Sequence, residues 1–200
     1  MKKSLKLLLL CTFICASLFN AKAQQYQTKH QFAVGYGAVP NSTWISTLED
    51  ITTIISTVGV ITYDNDKDIG AISMEYLYHA SDLIAVGAIG VYAHTTKDMI
   101  IGKNKEGTAN LNFMTFMPAV KFDWLRKEHI GLYSKIGVGV SVINEKQSCR
   151  GAEDYKHTTA CFNWQASFFG IEVGDTNIRG FAEFGVGEQG MLAVGVRFRF

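Results

Sequence analysis

The sequence is poor in proline, in charged residues and in long apolar runs, and each scarcity argues against a class of protein. Only 2 of its 200 residues are proline, and 18% are charged, against the roughly 25% usual for soluble globular chains. Aromatic residues make up 12%, which argues against disorder, because disordered chains lack aromatic side chains. Beyond residue 23 no apolar run reaches the roughly 20 residues of a membrane-spanning helix. A membrane protein of this composition would have to cross with a closed set of strands.

The first 23 residues have the three parts of a cleaved signal peptide. Lys2, Lys3 and Lys6 form a basic start. Residues 7–19 form an apolar core, and residues 21–23 fit a small-x-small cleavage site. Cleavage there leaves 177 of the 200 residues, and the loss of four lysines leaves 15 basic against 18 acidic side chains. This balance predicts no nucleic-acid partner, and no motif predicts a cofactor.

The rest of the chain divides into eight segments of alternating polarity, separated by turn residues. In the last segment Leu192, Val194 and Val196 share one face. Gly195 and Arg197 share the other face, which is the period of two of a strand. The predicted strands span 30–38, 69–79, 83–95, 110–124, 130–143, 160–173, 178–187 and 190–200.

Short connections alternate with long ones along these strands. The connections at 80–82, 125–129 and 174–177 are short, and residues 188–189 form a tight turn. The remaining connections are long: 39–68, 96–109 and 144–159. Short turns at one end and long loops at the other are typical of barrels with periplasmic turns and extracellular loops.

The first long connection has a local pattern of its own. Ser46 and Glu49 form a capping box, and apolar residues follow at helical spacing. This pattern predicts a helix from about Ser42 to Ser56, although the many β-branched residues disfavour it. The alternative is a strand through residues 58–63 that extends the second strand.

These patterns together predict an all-β protein, an eight-stranded antiparallel up-and-down transmembrane β-barrel that forms a single domain over residues 24–200. The apolar faces would then contact lipid, and the polar faces would line the lumen. Aromatic residues cluster near predicted strand ends, where girdles at the membrane interface are expected. They are Phe32, Tyr36, Tyr76, Tyr78, Tyr92, Phe122, Trp124, Phe162, Trp164, Phe198 and Phe200.

The final segment, GMLAVGVRFRF, alternates in polarity and ends on Phe200. It resembles the terminal strand of outer-membrane barrels, and residues 28–200 resemble the small eight-stranded outer-membrane barrel superfamily of the OmpA-membrane-domain and OmpX type. The resemblance implies a monomeric, integral outer-membrane protein of the Gram-negative envelope, with both termini in the periplasm. It also implies contacts with outer-membrane lipid and lipopolysaccharide, and recognition of Phe198 and Phe200 by the barrel assembly machinery.

Charged residues fall on the predicted inner faces of the strands. Because eight strands enclose an interior that side chains fill, we expect a plug of mutually neutralising ion pairs rather than a binding or conducting path. Within it, Glu183 is expected to pair with Arg197 or Arg199. The predicted lumen charges are Glu75, Asp123, Lys135, Arg179, Glu183, Arg197 and Arg199.

Two cysteines, Cys149 and Cys161, remain after signal-peptide cleavage. In an exported protein an even pair predicts a disulfide, here across the third long connection. A free pair and a metal site are the alternatives. Only His157 lies near enough in sequence to join a metal site, so we expect no metal.

No motif identifies a specific activity. We expect a non-enzymatic barrel that serves envelope structure or surface binding through its extracellular loops. A lipid A-modifying barrel enzyme is one alternative, with His94 or His157 beside the threonines 95, 96, 158 and 159, but no G-x-S-x-G nucleophile motif occurs. A soluble secreted barrel is the other.

The second long connection is basic. Lys97, Lys103 and Lys105 would either contact lipopolysaccharide phosphates or form a solvated loop tip.

Overall fold

The chain forms a closed β-barrel, in a computed structural model that describes residues 28–42, 61–101, 104–149 and 155–200. Eight antiparallel strands pair in chain order, and β1 closes the ring against β8. The strands are β1 (His30–Ala38), β2 (Ile61–His79), β3 (Ile84–Ile101), β4 (Asn104–Arg126), β5 (Ile130–Cys149), β6 (Tyr155–Gly174), β7 (Ile178–Gly187) and β8 (Leu192–Arg199). The predicted fold class is therefore confirmed. Among these residues no helix is long and apolar enough to span a membrane.

Strand lengths depart from the prediction at one end of the barrel. β1 and β7 have the predicted bounds, but β2 to β6 each run between 18 and 23 residues. The predicted long connections at 96–109 and 144–159 are wrong, since most of their residues continue paired strands. Segments of about ten residues were expected because that length crosses a membrane. These strands continue well beyond it.

Two predictions fall on residues that the structure does not describe. The predicted signal peptide, residues 1–23, lies outside the described chain. So does all of the predicted helix over residues 42–56 except Ser42. The alternative of an extended second strand agrees with the start of β2 at Ile61.

Side chains alternate between the inside and the outside of the ring along most of each strand. In β1, Gln31 and Ala33 are buried inside, whereas Phe32, Val34 and Tyr36 are exposed outside. All eleven aromatic residues predicted for the girdles lie on the outer surface. The barrel is therefore inverted relative to a water-soluble one, with large apolar side chains outside.

One bulge shifts this alternation in β6. Phe168 and Phe169 are adjacent, yet both are exposed, because the pairing with β7 shifts between Ser167 and Phe169. A bulge adds one residue to one strand and so moves every later side chain to the opposite face. As a result Glu172 points into the lumen, where uninterrupted alternation from Ser167 would have placed it outside.

Two features of the interior depend on glycine. Gly170 lies against the ring of Tyr133, and a Cβ there would come within 2.4 Å of it. The turn after β7 is flanked by Gly187 and Gly190, whose φ angles of 142° and 98° are rare for other residues. The resulting tight turn at residues 188–189 agrees with the prediction. Unexpectedly, it lies buried inside the ring.

Candidate functional site

The centre of the lumen holds a balanced set of charges. Lys135 Nζ lies 2.8 Å from Glu183 Oε1 and also contacts Glu75. Arg197 Nη2 lies 2.9 Å from Glu75 Oε2. Tyr133 donates a 2.6 Å hydrogen bond to Glu183. These side chains, which we call the central cluster, pair two cations with two carboxylates.

The expected partner of Glu183 is present but is not the nearest one. Arg197 Nη2 lies 3.6 Å from Glu183 Oε1, whereas Lys135 Nζ is closer at 2.8 Å. Ser167 adds a 2.7 Å hydrogen bond to the second carboxylate oxygen. Glu183 therefore sits in a network rather than in a single pair.

A second group of charges lies toward the end of the barrel with the short turns. Glu172 contacts Lys121 Nζ at 2.5 Å and also contacts Arg197 and Arg199. Lys121 is further paired with Asp123 at 2.9 Å. The structure thus places all seven predicted lumen charges inside the ring, in two connected groups.

Several lumen residues were missed from the sequence. Lys121 shares a face with Asp123 two residues later, and that spacing was signal enough to find it. Glu172 was hidden by the bulge at residues 168–169. Arg126 and Glu188 were assigned to turns, and turns are usually solvated.

The buried turn at 188–189 closes the interior above the central cluster. Glu188 Oε2 accepts hydrogen bonds from Ser42 N at 3.0 Å and Asn163 Nδ2 at 2.9 Å. Gln189 Nε2 donates to Glu75 Oε1 at 2.7 Å, which links the turn to the charges below. The described side chains thus fill the interior at this level, as side chains fill other eight-stranded barrels.

The outer face changes character partway along the strands. Tyr92, Met114 and Val142 are paired neighbours on β3, β4 and β5, and all three are exposed and apolar or aromatic. Two residues further on, the outward positions are His94, Asn112 and Asn144. The inner face is charged toward the short turns and apolar nearer this boundary, with one apolar cluster below it that includes Ile89 and Met117 and a second one above it. The apolar residues there, which we call the upper core, are Ala93, Ala109, Leu111, Phe113 and Ile143, with Cys161 packed against them.

His94 lies at this boundary in a chain of hydrogen bonds. Its Nδ1 is 2.9 Å from Asn112 Oδ1, and its Nε2 is 3.0 Å from Thr96 Oγ1. A hydroxyl, an imidazole and a third orienting group in this order resemble the arrangement of an activated nucleophile. Thr96 Oγ1 also donates a 3.0 Å hydrogen bond to Asn110 Oδ1, so the imidazole would have to compete with this amide for the hydroxyl proton. The third group here is an amide rather than a carboxylate. His157 is three strands away, at roughly 14 Å, and is not part of this chain of contacts.

Directly below His94 the outer wall carries a groove of about 540 Å³. It forms where Gly90 faces outward, since a Cβ there would meet nothing within 4 Å. Met74 and Phe116 pair with Gly90 from either side and flank the groove. Tyr92 closes it at the top and donates a 3.0 Å hydrogen bond to Asn112.

The strand register does not bring the two cysteines together. Cys149 pairs with Gly107 on β4, whereas Cys161 lies opposite Ser141, eight residues down β5. Eight residues span roughly 26 Å along a strand, whereas a disulfide needs Cα atoms within about 7 Å. The register therefore argues against the predicted bond.

The predicted basic loop is also revised. Lys97 points inward and is 1% exposed, so the interpretation of this residue as a loop tip or lipopolysaccharide contact is wrong. Lys103 lies outside the described residues, and the side chain of Lys105 is not described. The predicted assembly residues Phe198 and Phe200 lie on the outer surface, and Phe200 stacks on His30 with ring centroids 5.7 Å apart.

The fold and its inverted polarity define a small, eight-stranded, up-and-down β-barrel with a filled interior. Among solved structures it is similar to Ail, the attachment invasion locus protein of Yersinia pestis, in complex with the heparin analogue sucrose octasulfate. That match has 14% identity and a TM-score of 0.44, over 86% of this chain and 99% of the other. A second structure of Ail matches with 15% identity and a TM-score of 0.40, over 86% and 97%. At this identity the likeness concerns the fold alone. No family model and no curated protein matches.

Proposed function

We propose that this chain is an integral outer-membrane barrel with a plugged lumen, whose function lies in the sheet that it raises above the membrane. The observation that supports this most directly is the reversal of polarity between Tyr92 and His94 and at the paired positions on β4 and β5. A strand in one solvent has no reason to change its outward side chains from apolar to polar. A strand that leaves lipid for water does.

The height of the apolar surface fits a bilayer. On β5 the outward residues from Ile130 to Val142 are apolar except Ser134, which hydrogen-bonds to the Phe168 carbonyl. Twelve residues cover roughly 40 Å along a strand, or about 30 Å at the tilt usual for such barrels. We call this band of outward apolar side chains the belt. In water its area would far exceed the few hundred Å² of apolar patch that soluble monomers expose, which disfavours the alternative of a soluble protein.

The short turns lie at one end, as do the described chain ends Thr28 and Phe200, and we assign this end to the periplasm. The extended strands then face outward from the cell. We expect the barrel assembly machinery to engage the outward-facing Phe198 and Phe200. Outer-leaflet lipid would contact the belt, and lipopolysaccharide head groups would meet the amide and hydroxyl residues above it.

The raised part is a five-stranded sheet. Pairing between β1 and β2 ends at Gly37 and Ala71, and pairing between β6 and β7 ends at Gln165 and Gly187. Beyond these levels β2 to β6 continue, and the described residues provide no further strand on either side. Such edges offer backbone groups to an extended partner segment, so surface binding through this sheet is the function that we favour.

Orientation can be tested by labelling single cysteines on intact cells. With Cys149 and Cys161 changed to serine, Thr158→Cys on the raised sheet should react with a membrane-impermeant maleimide. Glu128→Cys on a short turn should react only after the outer membrane is permeabilised. The barrel itself should migrate faster on a gel when unheated than when boiled. The opposite labelling pattern would reverse the orientation, and a soluble periplasmic protein would overturn the proposal.

A second function is favoured by one specific observation, the chain of contacts Thr96–His94–Asn112 above the apolar groove at Gly90. An acyl chain in the groove would bring an ester bond near Thr96, so this arrangement suits a lipid hydrolase. His94→Ala, read out by the mass of lipid A from cells that express the protein, should then abolish any modification. His157→Ala is the matched control. Unmodified lipid A in cells expressing the wild-type protein would contradict this second function.

A further inference from the structure

The buried turn at residues 188–189 carries a carboxylate that has no cationic partner. Glu188 is 0% exposed, and among the described residues no lysine, arginine or histidine lies within ion-pair distance of it. The other buried carboxylates of the described chain each contact a lysine or an arginine. They are Glu75, Asp123, Glu172 and Glu183. An isolated buried carboxylate is strongly disfavoured in its ionised form, so a positive partner or a proton is expected at Glu188.

The immediate neighbours of Glu188 are neutral and leave one of its two oxygens weakly bonded. Oε2 accepts two hydrogen bonds, from Ser42 N and Asn163 Nδ2. Oε1 is approached only by the hydroxyl of Thr115, at 3.4 Å, and that hydroxyl also contacts the hydroxyl of Ser141. Because Thr115 has a single proton, it cannot donate to both partners at once. Oε1 is therefore the oxygen on which a proton would lie.

The charges below the turn do not compensate Glu188. The turn contacts the central cluster through Gln189, whose Nε2 donates to Glu75, which is itself a carboxylate. The cations of that cluster, Lys135 and Arg197, are already paired with its own carboxylates. A negative charge on Glu188 would thus face another carboxylate across one amide.

The charges above the turn lie farther away. Thr115 and its partners on β3 and β5 mark the level of Glu188 on these strands. Among the described inward side chains, Lys97 on β3 lies six residues above this level, and Glu145 on β5 lies four residues above it, paired with His157. These steps correspond to roughly 20 and 13 Å along the strands. Glu188 belongs to the turn between β7 and β8, and its burial there raises the pKa of the carboxyl above its ordinary value, an effect that the neutral donors offset only in part.

We propose that Glu188 is a proton-binding site, which carries a proton on Oε1 at neutral pH and holds the turn inside the ring as a neutral acid. The acid would donate to Thr115 Oγ1 and keep both hydrogen bonds at Oε2. Ionisation would leave an uncompensated charge inside the ring, so the turn would move toward water and lose its contact with Ser42. Since Ser42 lies near the start of the first long connection, the site would make the anchoring of that connection depend on pH. This proposal does not rest on the surface function proposed above.

The pH dependence of unfolding in urea tests the site, with the full barrel folded in a nonionic detergent. The folded barrel holds a proton that the unfolded chain releases, so its stability should fall as pH rises from the ordinary pKa of glutamate to the raised one. Glu188→Gln makes the contacts of the neutral acid without a titratable proton. It should unfold at a higher urea concentration than the wild type at neutral pH, and at the same concentration at about pH 4, where both chains are neutral at this position. Glu183→Gln, which removes a carboxylate paired with Lys135, should instead unfold at a lower concentration than the wild type at neutral pH.

Two further measurements do not depend on a change in stability. The infrared spectrum of the wild-type barrel at neutral pH, in an ester-free detergent, should contain the carbonyl band of a protonated carboxyl group. Hydrogen exchange at the Ser42 amide should accelerate with rising pH more in the wild type than in Glu188→Gln, because the intrinsic exchange rate is the same in both.

Three outcomes would overturn the proposal. One is the absence of the protonated carboxyl band from the wild type at neutral pH, a measurement that needs no variant to fold. Another is a Glu188→Gln barrel that is less stable than the wild type at neutral pH. The third is stabilisation of the wild type, but not of Glu188→Gln, when sodium replaces a bulky organic cation at constant ionic strength, which would assign a metal cation to the site instead of a proton.

Discussion

In the lower and upper parts of β3, β4 and β5, side chains alternate between the two faces in the same way, but the polarity of the outer face is reversed. Below the level of Tyr92, apolar side chains face outward, and the lumen holds charged side chains such as Lys121 and Lys135 together with an apolar cluster at Ile89 and Met117. Above it, amide and hydroxyl groups such as those of Asn112 and Thr96 face outward, and the upper core is apolar. A period of two therefore identifies a strand without identifying its solvent. The solvent follows from which face, inner or outer, is the apolar one.

The two parts should differ in what stabilises them. In the lower part the interior is held by buried ion pairs, whose partners depend strongly on one another. In the upper part the interior is held by apolar packing, as in a water-soluble sheet. Variants that damage one part should leave the other largely intact.

The largest effect is expected for Glu172→Gln in the lower part. Glu172 contacts Lys121, Arg197 and Arg199, so its loss removes one carboxylate from three buried cations at once. Lys121 and Arg197 each keep another carboxylate partner, in Asp123 and Glu75. Breaking a buried ion pair in this way costs about 3–5 kcal/mol. The measurement is the free energy of unfolding in urea, from barrel folded in detergent. Glu128→Gln, on an exposed turn, is the control, and equal stability of the two variants would remove the distinction between the two parts.

A charged residue introduced on the outer face should destabilise the lower part more than the upper part, if the lower part faces lipid and the upper part faces water. Val138 is 50% exposed in the middle of the belt, and Asn144 occupies an outward position on the same strand above it. In lipid, Val138→Arg should cost about 2–4 kcal/mol, and Asn144→Arg about 0–1 kcal/mol. Unfolding in lipid vesicles provides the comparison. Equal costs would mean that both positions lie in the same solvent.

A cavity in the upper core should have a smaller and more local effect. Leu111 is 4% exposed and belongs to the upper core, and Leu111→Ala should cost about 2–3 kcal/mol, near the low end for such changes. Hydrogen exchange should accelerate in the raised strands, while the unheated barrel keeps its fast migration on a gel. Loss of that migration would show that the raised sheet and the barrel unfold as one unit.

The sequence predicted the lower part better than the upper. β1 and β7 were located to the residue, because their side chains alternate cleanly between an apolar outer face and the interior. Above the level of Tyr92 the outward residues include asparagine and threonine, which are also turn residues, so 96–109 and 144–159 were mistaken for loops. The pattern gave no indication that these polar residues continue the strand pairing.

Within the lumen, the sequence was enough to identify charged residues that face inward, but not the backbone irregularities that position some of the others. Seven charges were assigned to the interior by alternation alone, and all seven lie there. Glu172, which joins the two clusters, was missed because a bulge at Phe168 and Phe169 exchanges the faces of β6. Neither a bulge nor the hydrogen bond from Arg126 to the carbonyl of Thr28 can be predicted from a period of two. Both depend on the closed ring.

The smallest effect is expected at the boundary itself. Tyr92 is the last aromatic side chain of the belt on β3, and its hydroxyl donates a 3.0 Å hydrogen bond to Asn112 in the first polar layer. Tyr92→Phe removes only this bond, at a cost of about 0.5–1 kcal/mol, since the partner can turn to water. If Tyr92 anchors the boundary, the cost should be greater in lipid vesicles than in detergent, where no fixed interface exists. Tyr76→Phe, whose hydroxyl lies 2.7 Å from His30 Nδ1 near the other interface, is the matched variant. If Tyr92→Phe lowers the free energy of unfolding equally in both media, the hydrogen bond contributes only to local packing. The position of the boundary would then be determined by the outward apolar side chains without this bond.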